Sequence, residues 1–427
     1  MVSISKKRQT SDRQDYVENA RVADVLIVGG GLVGGSLALA LAAAGISVTM
    51  IEARDPAAGL DAGFDGRASA MSLASRRLLE AIGVWRILAP DAQPILDIRV
   101  ADGSAPFFLD YHHDDLGDEP FCWMLENRHL RTALYHAVMA TPGINVIAPA
   151  TISTLVRDGG AATIELVDGR AVSASLVVGA DGRGSWTRRD AGIRTTAWDY
   201  GQVGIVTTVA HETPHGGIAH EHFLPAGPFA ILPLKGPTAR PGTHSSLVWT
   251  EAADLAPAIM ALDEDDFLVE LERRFGDFMG GLAIVGPRWS YPLSLQSAER
   301  ATDQRLVLVG DADHAMHPIA GQGLNMGLRD VAALAEVVVD ARRLGLDIGG
   351  GVILDRYASW RRFDNSLMLS ATDSLNRLFS NDIMPLHLAR SAGLAVVDRI
   401  LPLKRVLMRH AMGTLGELPR LLRGELL

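Results

Sequence analysis

The sequence predicts an α/β fold: a domain of the βαβ type, a mostly antiparallel β-sheet inserted into it, and a helical C-terminal region. Three observations carry this. Short apolar runs end in glycine three times, at Val25–Val28, Leu176–Val178 and Arg305–Val309, and runs of that kind are buried parallel strands. Segments such as Gly204–Ala210, Phe229–Leu234 and Ser246–Thr250 are β-like and alternating, the pattern of antiparallel strands. From Ser366 to Leu378 and from Leu401 to Met412 the apolar spacing becomes three and four, which is that of helices.

The chain can support such an architecture. Its 427 residues, 48% hydrophobic and 21% charged, suffice for about two or three units with real cores. A formal charge of −10 argues against a nucleic-acid partner, whose phosphates need a basic surface. The single cysteine, Cys122, allows no intramolecular disulfide and no cysteine metal cluster, so a cytoplasmic, reducing setting is expected. Behind Lys6, Lys7 and Arg8 there is no apolar stretch, so residues 1–22 read as a disordered tail and not a signal peptide.

The first element is the most informative. From Val25 to Ile51 the chain runs 27 positions without a charge, long enough for hydropathy alone to suggest a membrane span. Glycines divide it into a strand (Val25–Val28), an alanine-rich helix (Ser36–Ala44) and a second strand (Val48–Ile51). In Gly29-x-Gly31-x-x-Gly34, the first glycine permits a tight turn, the second lets backbone approach a pyrophosphate, and the third lets helix and strand pack closely. Glu52 closes the second strand, where an acid accepts hydrogen bonds from an adenosine ribose. This is a Rossmann-like dinucleotide site. The alternative for the glycines alone is a structural turn.

Two later strands end in motifs of their own. One is Gly179-Ala-Asp181-Gly182 followed by Ser185 and Arg188; the other is Gly310-Asp311 followed by His314, His317-Pro318, Gly321-Gln322-Gly323-Leu324-Asn325, Gly327 and Asp330. Together with the first fingerprint, they make one large, discontinuous nucleotide domain. The three segments resemble the glycine fingerprint, Asp-Gly motif and Gly-Asp motif of the FAD-dependent aromatic hydroxylases of the para-hydroxybenzoate hydroxylase type. The form of the last motif narrows the resemblance to the ubiquinone-biosynthesis hydroxylases. Asp65-Gly66-Arg67-Ala68, Glu126-Asn127, Tyr200-Gly-Gln202, Gly227-Pro-Phe-Ala-Ile-Leu-Pro233 and Thr372-Asp373 agree, so the likeness runs from about residue 23 to 415.

What the resemblance implies is specific. The cofactor is FAD, reduced by NADPH or a ferredoxin-type donor. The fold is a Rossmann-like FAD-binding domain (23–94, 122–196 and 291–345) with an inserted, mostly antiparallel β-sheet substrate domain (95–121 and 197–290) and a helical region (346–427). Asp181 and Gly310 belong to the FAD motifs, and Asp311 takes the ribityl hydroxyls. The turn from Pro318 through Gly321, Gln322 and Gly323 faces the flavin's pyrimidine edge, and the helix begun near Leu324 and Asn325 adds its positive end. Arg67 and Arg128 resemble arginines near the flavin phosphates or ribityl chain; a surface ion pair is the alternative for both.

The implied reaction is hydroxylation of the aromatic ring of a polyprenylated phenol in ubiquinone biosynthesis, with O2 as co-substrate and a C4a-hydroperoxyflavin as oxygen donor. Few titrating residues are needed, and no protein acid or base stands out. Phe223, Leu232, Pro233, Trp249 and Pro318 are candidates for lining the pocket, against the plainer reading of core residues. Alternative functions are a flavin hydroxylase of a soluble aromatic compound, or a flavin-bearing scaffold subunit of a multi-protein biosynthetic complex. His220 and His222 share one strand face, but with no third ligand at a recognisable spacing they do not make a metal site. His314 and His317 are read as backbone support or polar lining. Six basic and two acidic residues between Arg399 and Leu427 suit peripheral contact with anionic lipid or, equally, a solvated helix face or homo-oligomer contact.

Overall fold

The computed structural model describes residues 21–60, 67–103, 108–317, 321–380, 397 and 399–427. Asp65, Gly66, Pro318 and the expected tail as far as residue 20 lie outside the described residues. Three sheets organise the rest. In the first, β18 (Thr302–Asp303), β19 (Leu306–Leu308), β11 (Ala171–Gly179), β1 (Arg21–Val28), β2 (Val48–Ile51) and β8 (Ile144–Ile147) lie in that order. The antiparallel strands β9 (Ile152–Arg157) and β10 (Ala162–Leu166) hang from β11. The second sheet runs β20 (His314–Ala315), β17 (Trp289–Ala298), β12 (Thr195–His211), β15 (His244–Ala252), β14 (Gly227–Leu234), β13 (Ile218–Leu224), β5 (Asp97–Asp102), β6 (Phe108–His112), with β16 (Leu282–Ile284) beside β12. A small third sheet joins β3 (Ala68–Ser72), β7 (Cys122–Glu126) and β4 (Gln93–Ile95).

Strands β19, β11, β1, β2 and β8 are mutually parallel. Val25, Leu26 and Ile27 are wholly buried, because β1 is covered on both faces; that is why it reads as an unbroken apolar run. Helix α1 (Leu32–Ala43) packs against α2 (Asn127–Ala140) and α4 (Gly323–Arg343), and Leu37 to Leu41 are all buried. A helix that is apolar all round belongs in an interior. The uncharged stretch is therefore core, and no helix among the described residues is long and apolar enough to cross a membrane. Helix α1 starts at Leu32 rather than at the expected Ser36; packing there overrides the poor helix propensity of Gly34 and Gly35.

The second sheet is antiparallel except where β13 meets β5. Its outer face, with Phe229, Ile231, Leu247 and Trp249, packs on Phe267, Leu271 and Phe275 of α3 (Glu264–Phe275). Its inner face is covered at both ends. At one, Ala219, Leu232 and Leu234 meet Ala70, Ile95 and Met124 of the third sheet. At the other, Phe223 stacks on Phe379 of α5 (Gly351–Phe379) with ring centroids 4.1 Å apart, and Asn376 Nδ2 donates to Gln202 Oε1 at 2.9 Å. This is the expected α/β arrangement with an inserted antiparallel sheet and C-terminal helices. One strand falls elsewhere than expected: β17 pairs along β12 from Thr195 to Val206, so the second sheet continues past residue 290.

Candidate flavin site and the sheet face beside it

Open α/β sheets bind ligands outside the carboxyl ends of their strands. The loops after β1, β2, β11 and β19 carry Gly29–Gly34, Glu52, Asp181 and Asp311, so parallel pairing alone brings these residues to one edge. Gly29 has φ +104°, and a Cβ there would run into the carbonyl oxygen of Ala180; one on Gly34 would run into that of Gly29. Gly31 faces open space, with nothing within 4 Å of a Cβ, and α1 begins there without a side-chain cap. Its first N–H groups are thus left for a ligand. Glu52 is aimed at the same place: Oε2 accepts from Gly30 N at 2.7 Å and Oε1 from Arg54 N at 3.0 Å. We expect Gly34→Ala to be purified without visible flavin absorbance and to lose about 1–3 kcal/mol of stability in denaturant titration, since the new methyl must displace backbone.

Asp181 is committed to its own turn. Its Oδ1 accepts from Ser185 Oγ (2.6 Å) and Thr187 Oγ1 (2.9 Å), and its Oδ2 from Thr187 N (2.9 Å). These bonds fix the segment whose Ala180 carbonyl sits against Gly29. Asp181 thus fixes the loop that closes this side of the glycine turn.

The turn at Gly310–Ala312 is held from behind. Gly310 N donates to Asp330 Oδ2 (2.9 Å), and Arg188 Nη1 to the Ala312 carbonyl (2.7 Å). Asp330 is completely buried, with His314 Nε2 and Arg361 Nε each 2.7 Å away. Burial by itself would raise its pKa, but the charges of His314 and Arg361 outweigh that and bring it down to about 2. Asp311 differs from these neighbours. Asp311 is exposed and has no hydrogen-bond or ion-pair partner among the described residues, while surrounding protein pushes its pKa upward and Arg183 and His314 draw it back. A carboxylate so placed lacks an acceptor's usual donors.

The second half of the Gly-Asp segment lies alongside. Asn325 Nδ2 donates to the Ala70 carbonyl (2.9 Å) and its Oδ1 accepts from Ser72 N (3.0 Å), so this side chain fastens the turn to β3. Gln322 is buried, and Gly323 and Leu324 open α4, again without a side-chain cap. Gly327 of α4 leaves room for Val33 of α1, where a Cβ would lie 2.7 Å from a Val33 methyl. Two uncapped helix starts thus converge beside Asp311, an arrangement that fits a dinucleotide carrying a polyol chain. Gly321, with φ +61°, borders Ala70. Arg67 is exposed just ahead of β3, and its carbonyl accepts from Asn127 N at 2.9 Å. Arg128 Nε donates to Glu126 Oε2 at 2.6 Å, an ion pair at the start of α2.

Strand alternation sorts the pocket candidates. Phe223 and Leu232 are on the inner face. Trp249 is not: it lies in the outer core with Arg274 stacked 4.2 Å from its ring centroid, and this corrects its assignment to a pocket wall. Pro233, between Leu232 and Leu234 on β14, also points outward. The inner face gains Trp198, which the sequence did not single out, beside Tyr200 and Asp373 from the family segments. Trp198 Nε1 and Tyr200 Oη both donate to Asp373 Oδ1 at 3.1 Å, and the Tyr200 ring meets His317 edge-on at 5.3 Å. Burial pushes His317 down to about 4, so its imidazole is neutral. His220 and His222 face the outer side, against Phe278 and Phe229.

The chain matches the FAD binding domain family over residues 22–362. It is 56% identical to ubiquinone hydroxylase UbiL of Rhodospirillum rubrum, over 95% of this chain and 93% of that protein. It is 35% identical to 3-demethoxyubiquinol 3-hydroxylase of Escherichia coli, over 91% of this chain and 98% of the relative. In fold it is similar to p-nitrophenol 4-monooxygenase PnpA of Pseudomonas putida, with a TM-score of 0.75 at 20% identity, covering 92% of this chain and 98% of the other. The chain belongs to the FAD-binding domain family and, within it, to the ubiquinone hydroxylases.

Proposed function

We propose that the protein is an FAD-dependent monooxygenase that hydroxylates the aromatic ring of a polyprenylated phenol on the way to ubiquinone. The observation that carries the reading is near-full-length kinship with a ubiquinone hydroxylase, joined to a cofactor cradle that opens beside an apolar sheet face. Gly29, Gly31 and Gly34 with the start of α1 would hold the pyrophosphate, and Glu52 the adenosine ribose. Asp311 would hold the ribityl chain, and Gly321 to Asn325 the pyrimidine edge. Reduced FAD, when bound, supplies the activation of O2 and the electrophilic oxygen. The remaining work falls to the chain. Phe223, Leu232 and Phe379 would line the ring's pocket and keep water from it, while the Tyr200–Asp373–Trp198 contacts fix the wall formed by β12 and α5. The test is turnover: purified holoprotein, a reductase system and a polyprenylated phenol under heavy-isotope O2 should give a product labelled with one oxygen atom. Loss of the gene should cause a demethoxy or unhydroxylated quinone intermediate to accumulate; normal quinone levels would overturn the proposal.

A bilayer-dissolved substrate also calls for membrane contact, and helix α6 (Leu401–Ala411) is built for it. It docks through Lys404, Met408 and Met412, leaving Leu401, Leu403, Val406 and Leu407 each about 40% exposed among Arg405 and Arg409. The basic count is smaller than the sequence suggested. Lys404 is buried 4.0 Å from Asp115, Arg420 pairs with Glu336 and Asp340, and Arg423 pairs with Glu425. What remains is an apolar face rimmed by arginine, which suits the interface of an anionic bilayer. Leu403→Asp with Leu407→Asp should abolish most sedimentation with anionic vesicles and leave the melting temperature unchanged; full sedimentation of the double variant would return α6 to a structural role.

A further inference from the structure

The proposed reaction needs an electron-rich ring, and a phenol becomes one when it gives up its proton. Among the described residues of the cofactor site, Asp311 is set beside the ribityl position in this reading, and burial leaves His317, at about 4, too weak a base to take a phenol's proton. The inner face of the second sheet offers another group. Along β13, Ala219, Glu221 and Phe223 point inward, while His220 and His222 point outward. Glu221 pairs in register with Ala230 on one side and Val100 on the other. It therefore stands between the two covers of that face: the third sheet over Ala219 and Leu234, and Phe379 over Phe223.

We propose that Glu221 accepts the hydrogen bond and then the proton of the substrate's ring hydroxyl, making it the residue that ionises the phenol. This rests on the function proposed above. In the step, the phenol O–H bond breaks, its electron pair stays on the ring oxygen, and the proton passes to a Glu221 carboxylate oxygen.

Several features of the site support this. Among the described residues the Glu221 carboxyl has no hydrogen-bond or ion-pair partner, although part of its surface stays open. A carboxylate in apolar surroundings must find a donor or a proton. Among the described residues, strand alternation places Asp102 of β5 and Tyr111 of β6 on this face, with Cys122 of β7 above it and Tyr291 of β17, beside Arg67, further along it. None of them sets its ionisation; burial alone pushes Glu221 up to about 7. A base near neutrality is well placed to act on a phenol, whose own value is about 10. A purely structural carboxyl here would be a liability, because replacing an unpaired buried polar group with an apolar one is neutral or stabilising.

The test uses the full-length holoprotein, with Glu221→Gln and Glu221→Leu. Both should keep visible flavin absorbance, and Glu221→Leu should melt no lower than the parent. With an ortho-prenylated phenol, kcat should fall by about two orders of magnitude with little change in KM. The acid limb of kcat/KM near pH 7 should also vanish, since Glu221 must be ionised to accept. Independently of turnover, the bound phenol's ultraviolet band at pH 8 should lie to the red in the parent, where its hydroxyl donates to the Glu221 carboxylate, relative to both variants, and should return to the variants' position below pH 6. Parent-like kcat and an unchanged acid limb would overturn the inference and leave the proposed function standing. A parent that binds the phenol without product would count against the function, and the position of the bound phenol's band would still decide the role of Glu221.

Discussion

Asp330→Ala should destabilise the protein by about 3–5 kcal/mol, the range for removing one partner of a buried charge network. Three groups depend directly on this carboxylate, Gly310 N, His314 and the Arg361 guanidinium, and through them so does the turn that carries Asp311. Arg361 is 2% exposed. Its other contacts, Asp364 Oδ2 and Asn365 Oδ1 at 2.7 Å each, do not neutralise it at Nε. The pH dependence carries the same signature. Asp330's folded value, about 2, lies below the roughly 3.9 of an unfolded aspartate. Its contribution is therefore present above that value and lost as pH falls through 2. Burial would depress His314, but Asp330 raises its pKa above the ordinary value, so its contribution is complete below about 6.5 and lost as pH rises through the folded value. Melting temperature against pH should show both limbs in the parent and neither in Asp330→Ala. A loss under about 1 kcal/mol would mean that the network relaxes around the gap, and the argument would fail.

These strengths were unevenly legible in the sequence. Gly29 to Gly34 with Glu52 could be read directly, because a glycine cradle and a strand-ending acid are local features joined by one short helix. Asp330 stood within a recognisable motif, yet nothing in the chain pairs it with Arg361, which is on another helix and meets it only through packing. The face of a strand was legible only where one side is polar. On β14 and β15 both faces are buried, so alternation could not show that Trp249 and Pro233 point away from Leu232. Glu221 was overshadowed by the two histidines around it, and its significance depends on what the folded sheet leaves unpaired. The C-terminal charge sum misled for a related reason: ion pairs of Arg420 and Lys404 with distant elements cannot be subtracted from a local count.

Asp311→Ala should yield a folded protein that leaves purification largely without visible flavin absorbance. The turn keeps its shape because what holds it is elsewhere: Asp330 on Gly310 N, and Arg188 on the Ala312 carbonyl. What disappears is an exposed carboxylate with no other hydrogen bond among the described residues. Hydrogen bonds to a charged group contribute about 1.5–3 kcal/mol each, so losing two to ribityl hydroxyls lowers affinity by roughly two to four orders of magnitude. The apoprotein should not suffer. Asp311's folded pKa is raised, so its ionisation costs stability as pH rises from its unfolded value, about 3.9, through the folded one. Above that window the variant should melt as high as the parent apoprotein, or higher. Asp311→Asn should fall between the two in FAD affinity, since an amide oxygen still accepts but carries no charge. Retention of the parental flavin content by Asp311→Ala would remove the ribityl assignment, while loss of flavin together with a collapsed melting temperature would mean that Asp311 supports the turn after all.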